Sequence, residues 1–306
     1  MKNKDFELVS VIITTYGRNY NDISNTIKSV FNQDYKNIEL LIIDDNGVGS
    51  TIQKNIEKNI NELQKNNNIV YYPNKVNSGA QISRNKGILY SHGKYLAFLD
   101  DDDEWEKNKI SLQVELISNC DQIGLVYSKG WLINNNLSSK TPYNNSSNFL
   151  DTLSYNDLLY GDYIGTTSQV LIRREVFANV GLFDLNQPAR QDYEMWIRIS
   201  KKYICSGVNS YLFNHIIHKG EQISKNPIKA AIGIENIYKK YKYDMCLTAK
   251  WHISYLTFKA YKNSRRVIKT IRYFLVMCIH LFFTLILDLK EFKNRLKLHK
   301  QRTKNI

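Results

Sequence analysis

Between residues 8 and 99 strand-like and helix-like patterns alternate, and this alternation constrains the fold more tightly than any other feature of the chain. Short apolar runs at 8–15, 38–43, 69–72 and 95–99 have the composition of strands buried on both faces. Amphipathic stretches of helical length lie between them, at 22–31, 51–64 and 78–90. Such alternation predicts an α/β fold, with a mainly parallel sheet, right-handed crossovers and helices on its faces.

In open α/β sheets ligands bind beyond the carboxyl ends of the strands, and two of these runs end in acids. Leu40-Leu41-Ile42-Ile43 leads into Asp44-Asp45-Asn46, and Leu96-Ala97-Phe98-Leu99 into Asp100-Asp101-Asp102-Asp103-Glu104-Trp105. Carboxylates gathered at a strand end are hard oxygen donors suited to Mg²⁺ or Mn²⁺, which take one or two of them plus the oxygens of a substrate diphosphate. A cap for the helix predicted at 106–118 is the alternative, yet a cap needs one acid and neighbouring acids repel.

The rhythm loosens afterwards. A strand is predicted at 123–127, a polar loop at 134–148, a strand at 169–173 and a helix at 192–201. Cys120, Cys205, Cys246 and Cys278 match no metal or disulfide spacing, and the first forty residues carry no signal-peptide pattern, so a reduced, cytoplasmic protein is expected. Of the net charge of +13, residues 250–306 hold nearly all: 14 Lys and Arg stand there against Asp288 and Glu291, leaving +1 for residues 1–249. A near-neutral body is a poor nucleic-acid surface, and no nucleic-acid partner is expected.

The motifs, in order, are Val9-Ser10-Val11-Ile12-Ile13-Thr14-Thr15-Tyr16, the Asp44-Asp45 pair, Asn77-Ser78-Gly79 with Arg84-Asn85, the acids 100–104 with Trp105, Gly181-Leu182-Phe183-Asp184 and Gln191-Asp192. In that order and rough spacing they resemble the inverting glycosyltransferases of family two, which have the GT-A (Rossmann-like) fold. The resemblance covers most of residues 8–225 and implies a GT-A catalytic domain at 1–225, followed by a helical, basic region at 226–306.

What the resemblance implies for single residues can be set beside their chemistry. Thr14, Tyr16 and Asp45 would hold the nucleotide base, an aromatic face for stacking and a carboxylate for the uracil imide N–H, which implies a UDP-sugar donor. Arg84 would lie near the nucleotide's phosphates. Asp100 and Asp101 would belong to the donor site and Asp102 would be the direct ligand of Mn²⁺ or Mg²⁺, although the extra acid leaves the register open by one and keeps Asp103 a candidate ligand. His218 stands where relatives often place a histidine near the diphosphate and is by that resemblance a further candidate metal ligand. Asp192 would be the general base that activates the acceptor hydroxyl, with neutral Gln191 in place of the usual preceding glutamate. Trp105 reads equally well as part of the floor of an acceptor or sugar pocket and as a buried structural tryptophan.

The run 274–287 is almost wholly apolar and is flanked by Arg265, Arg266, Lys269 and Arg272 before it and by Lys290, Lys293, Arg295 and Lys297 after it. At 14 residues it falls short of the ~20 needed to span a bilayer. An interfacial or re-entrant helix on an anionic membrane surface fits it, with a core helix or an oligomer contact as alternatives. The expected protein is a UDP-sugar-dependent transferase acting on a glycan or lipid-linked glycan acceptor, cytoplasmic and peripheral on the inner face of the cell membrane. Two rivals exist. A phosphate-signalling receiver needs acids after its first strand, where Thr14-Thr15-Tyr16 stands, and a nucleotide-binding protein without transfer activity, its basic tail binding RNA or partners, leaves Asp192 without a use.

Overall fold

Alternate residues of the first strands feed two separate cores. Ile12, Leu41, Ile43, Leu96 and Phe98 belong to one and Val11, Ile13, Leu40, Ile42, Ala97 and Leu99 to the other, all at most 1% exposed, so the sheet is covered on both faces. The computed structural model describes residues 7–65, 67–134, 139–143, 149–217, 226–287, 289 and 293. The expected alternation is present as β1 (Val9–Thr15), α1 (Tyr20–Phe31), β2 (Ile38–Asp44), α2 (Thr51–Gln64), β3 (Ile69–Pro73), α3 (Ala80–Tyr90) and β4 (Tyr95–Asp100). Local chemistry starts these helices: Asn19 and Asp22 form a capping box at α1, and Ser50 accepts the Gln53 N–H at α2.

Further along come β5 (Asp103–Trp105), α4 (Lys109–Ser118), β6 (Ile123–Asn134), β7 (Ser139–Pro142), β8 (Thr152–Leu153), α5 (Tyr155–Tyr160), a 3₁₀ turn at Thr167–Gln169, β9 (Leu171–Arg173), α6 (Arg174–Val180), α7 (Gln191–Ser200) and β10 (Ile204–Ile216). The sheet order is β3-β2-β1-β4-β9-β6-β10-β5, with β7 on β6 and β8 on β10. Strands β1 to β4 pair parallel, as do β6 and β10, but β9 runs antiparallel to both β4 and β6, and β5 antiparallel to β10. The sheet is therefore mixed, more so than its parallel first half led one to expect. Part of the polar stretch expected as a loop is strand: β6 runs to Asn134 and β7 returns along it, while 135–138 and 144–148 lie outside the described residues.

The helices α8 (Pro227–Tyr241), α9 (Leu247–Asn263) and α10 (Val267–Leu287) close the chain. The boundary expected at 225/226 does not coincide with a break in packing. Ile234, Ile237, Tyr241, Met245, Ala249 and Ile253 all belong to the same core as Phe98 and Trp196, and His252 stacks on Tyr160 with ring centroids 4.5 Å apart. Gly233 is required at this junction, because a Cβ there would stand 2.5 Å from the Ala189 carbonyl oxygen.

Helix α10 corrects the length inferred from the apolar run alone. It has 21 residues, about 30 Å at 1.5 Å per residue, and is long and apolar enough to cross a membrane by length and composition. One side rests on α9: Tyr273 stacks on Tyr261, Phe274 meets Phe258 and the Nδ1 of His280 is 3.0 Å from the Ser254 hydroxyl. The other side exposes Ile268, Ile271, Leu275, Ile279, Phe282 and Ile286, spaced three or four apart as one helical stripe.

Candidate active site

The carboxyl ends of β1, β2 and β4 lie side by side, since Thr14 is opposite Asp100 in one register and opposite Ile43 in the other. Tyr16, just past β1, is 62% exposed and offers an open ring at this edge. Asp45 follows β2 and is buried. Its Oδ1 accepts from the Asn74 amide at 2.7 Å and the Ser78 N–H at 2.8 Å, and its Oδ2 from the Gly79 N–H at 2.8 Å. Asp45 thus pins the turn that opens α3, and a carboxylate's roughly four acceptor sites leave one for a ligand. Asp44 is a turn-former: it accepts from the backbone and side chain of Asn46 and from the Tyr71 hydroxyl.

The acid run after β4 divides by direction. Asp100 accepts from Arg84 at 2.8 Å, Thr166 at 2.9 Å and Thr167 at 3.1 Å. Burial alone would raise its pKa, but the Arg84 guanidinium and the two hydroxyls hold it below the usual carboxylate range. Asp101 and Asp102 both face Arg18, at 3.1 and 2.6 Å. Asp103 points inward, where its carboxylate meets the Ser168 hydroxyl at 2.6 Å and Nδ1 of His215 at 2.8 Å. That fully buried position makes Asp103 part of the scaffold rather than of the open edge. Burial pushes it up to about 6 against the pull of His215, whose own pKa rises because Asp103 outweighs the cost of burying the cation.

Trp105 also turns inward. It is 5% exposed, its Nε1 donates to the Ser168 carbonyl at 2.9 Å, and the Lys109 ammonium sits 4.1 Å from its ring centroid. Of the two readings open for it, the structure supplies the buried one, and the indole braces the Ser168 turn. His218 lies outside the described residues.

Asp192 is the second residue of α7, which begins directly after Arg190, whose left-handed backbone (φ 58°, ψ 38°) is unusual for a non-glycine residue and marks a constrained turn. One Asp192 oxygen accepts the Tyr193 N–H at 2.8 Å. Burial raises its pKa, opposed by Arg84 and Arg190. Asp162 is its neighbour, pushed up to about 7 by burial and then by the charge of Asp192, and bound to the Gly165 N–H at 2.9 Å. The Nε2 of Gln191 is buried with no hydrogen-bond partner among the described residues. Motif residues expected to act together are joined physically as well: Asn85 exchanges two 2.9 Å hydrogen bonds with the backbone of Phe183, which ties α3 to the loop before α7.

The acid turn fits a divalent cation by its donor chemistry. Asp101 is pushed up to about 7 by burial and by Asp102 and Asp100 even with Arg18 beside it, so the turn remains short of positive charge. Among the described residues no group of three or more His, Cys, Asp or Glu forms a self-sufficient metal site. A cation here would draw its remaining ligands from a substrate, as Mg²⁺ and Mn²⁺ do with diphosphates.

Residues 10–181 match the family model described as glycosyl transferase family 2. The chain belongs to glycosyl transferase family 2. Among its relatives, the UDP-Glc:alpha-D-GlcNAc-diphosphoundecaprenol beta-1,3-glucosyltransferase WfgD of Escherichia coli is 31% identical over 207 residues, covering 67% of this chain and 74% of that one. Two solved structures show the fold. S. aureus TarS 1–349 in complex with UDP-GlcNAc has a TM-score of 0.63 at 16% identity, over 83% of this chain and 73% of that one. The mannosyltransferase PcManGT of Pyrobaculum calidifontis, in complex with GDP-Man and Mn²⁺, has a TM-score of 0.60 at 14% identity, over 97% and 81%.

By family and fold the chain is a glycosyltransferase of family 2 with the GT-A fold. Four residues of the site and its scaffold escape sequence reasoning: Arg18, Asp162, Arg190 and His215. Gly17 before Arg18, with φ +73°, is the nearest thing to a sequence signal for the first; the others carry none beyond their residue type.

Proposed function

We propose that this enzyme moves a hexose from a UDP-sugar to a hydroxyl of a lipid-linked glycan, with inversion at the anomeric carbon, in the assembly of a cell-surface polysaccharide. The observation that carries the reading is that Asp45 and Asp100–Asp102 stand at the carboxyl ends of the two strands flanking β1, and that Asp100 and its partner Arg84 lie near enough to Asp192 to act on its charge, with the open ring of Tyr16 at the end of β1. On this reading Thr14, Tyr16 and Asp45 receive the uracil, and Arg84, Asp100 and Asp101 order the ribose and phosphates. Asp102 and the donor's diphosphate would hold Mn²⁺ or Mg²⁺, which offsets charge on the departing UDP.

Asp192 takes the proton of the acceptor hydroxyl as its oxygen attacks the anomeric carbon, and the bond from that carbon to the diphosphate oxygen breaks. General-base help of this kind contributes ~10²–10⁴ in rate. The lipid-linked acceptor is supported by the name of WfgD and by α10. Lys262, Arg265, Arg266 and Arg272 are exposed near its start, and a stripe of apolar side chains beside cations suits the cytoplasmic face of an anionic membrane. The test is a panel of UDP-sugars offered to the purified full-length protein with GlcNAc-diphospholipid, read by UDP release and glycolipid mass. A glycolipid heavier by one hexose is expected; no release from any UDP-sugar would overturn the reading.

A further inference from the structure

The Arg18 guanidinium occupies the position at which two acids require a positive charge. Its Nε lies 3.1 Å from Oδ1 of Asp101 and its Nη2 2.6 Å from Oδ2 of Asp102, the second a strong charge-assisted contact. The acid turn is anchored from beneath, where the Thr26 hydroxyl donates to the Asp101 carbonyl at 3.1 Å and Ser168 and His215 hold Asp103. Arg18 is held differently. The last fixed point before it is Gly17, whose N–H donates to the Asn46 side chain at 2.7 Å and around whose missing Cβ no atom stands within 4 Å. The Arg18 side chain is 25% exposed against 14% for each acid, so the arginine is the more solvent-accessible side of this contact.

We propose that Arg18 is a built-in competitor of the divalent cation: it neutralises Asp101 and Asp102 while the donor site is empty and yields Asp102 when metal and diphosphate arrive together. This rests on the reading of Asp102 as the metal ligand. A bare cation must displace the guanidinium from its 2.6 Å contact with Asp102 and leave it Asp101 alone, with nothing gained in return. A cation arriving with a diphosphate brings phosphate oxygens, which a guanidinium pairs with in bidentate geometry, so the cost of breaking the Arg18–Asp102 contact is offset only in that case. Metal and nucleotide therefore bind with positive coupling, and by linkage UDP tightens Mn²⁺ by the same factor as Mn²⁺ tightens UDP.

Calorimetric titration of the full-length protein with Mn²⁺ alone, with UDP alone and with Mn²⁺ in saturating UDP tests this without any turnover. Arg18→Gln should bind Mn²⁺ alone about tenfold more tightly than wild type, equivalent to ~1.4 kcal/mol, and should show a coupling factor smaller by at least that much. Arg18→Lys keeps the charge but cannot bridge both acids, so it should fall between the two, and it carries the test should Arg18→Gln unfold. Wild-type Mn²⁺ affinity in the variants, or an unchanged coupling factor, overturns the proposal while leaving Asp102 as a ligand. Absence of Mn²⁺ binding in every protein, with and without UDP, overturns the metal reading and the competitor role together.

Discussion

The hydroxyl of Tyr241 on α8 lies 2.8 Å from Oε1 of Glu194 on α7, two residues from Asp192. The same carboxylate is bound by Arg198 and Lys240 and is 1% exposed. A helix in the region expected to be an appendage thus helps to hold the helix that carries the candidate base.

Glu194→Ala should cost about 1–3 kcal/mol in urea unfolding, because it leaves the buried Tyr241 hydroxyl and the part-buried Arg198 without their acceptor, while the exposed Lys240 turns to water. Burial alone would raise the Glu194 pKa, but Arg198, Lys240 and Tyr241 depress it below the ordinary glutamate value. Its stabilisation is therefore present above the unfolded pKa of about 4.3 and is lost as pH falls through the lower folded value. The gap between wild type and variant should close as the titration moves into acid.

Asp192→Asn should lower kcat by ~10² or more and leave the UDP dissociation constant nearly unchanged, since the base acts on the acceptor. Initial rates and UDP titration of the same preparation check both halves. A parallel loss of UDP affinity would remove Asp192 from this role.

Asp162 and Asp192 should shape the pH profile together. Both are raised by burial, Asp162 to about 7, and the base works only when deprotonated. The rate should therefore climb with pH through the apparent pKa of the pair. Asp162→Asn removes a neighbouring negative charge, which lowers the pKa of Asp192 and moves the acid limb to lower pH. An unmoved limb would mean that the pair is not coupled in catalysis.

Asp102→Ala should abolish Mn²⁺-dependent UDP binding, whereas Asp103→Asn should lower the melting temperature with a much smaller effect on Mn²⁺ affinity. The difference follows from direction: Asp102 faces the open edge and Asp103 faces Ser168 and His215. EDTA should stop the wild-type enzyme. A larger metal defect at Asp103 would move the register by one.

A chain ending at Ser264 should stay folded and fail to float with anionic vesicles, while the full-length chain floats. The cut belongs after α9, because Ile253 and His252 are core residues and an end at Ala249 would remove them. Four engaged cations at ~1 kcal/mol each would strengthen partitioning by roughly 10³, so salt should weaken binding and detergent should be needed to complete release. Flotation of the shortened chain would shift the membrane role elsewhere.

The acid-bearing strand ends were legible because strand ends announce themselves: an apolar run that stops at Asp44 or Asp100 states both the element and its exit point. What stayed hidden depends on juxtaposition. Arg18 and Asp102 are 84 residues apart and His215 and Asp103 are 112 apart, and no local pattern carries such pairings. Strands β5 and β8 are too short, at three and two residues, to have a period, and exist because β10 offers them a partner. Trp105 beside five acids suits a binding wall and a buried brace equally well until its indole N–H is seen to bond the Ser168 carbonyl.

The turn between α9 and α10 spans only residues 264–266, and α9 is already sunk in the body through Ile253 and His252. On the membrane role proposed for α10, an anchor of this build is a strut, not a tether. On a bilayer it would set the height and tilt of the acid edge above the lipid headgroups, and it would deny the enzyme the search volume that a flexible linker provides. Among glycolipids of one chemistry, those whose terminal sugar stands at that height would be extended and longer or shorter ones passed over, so that chain length itself becomes a substrate property.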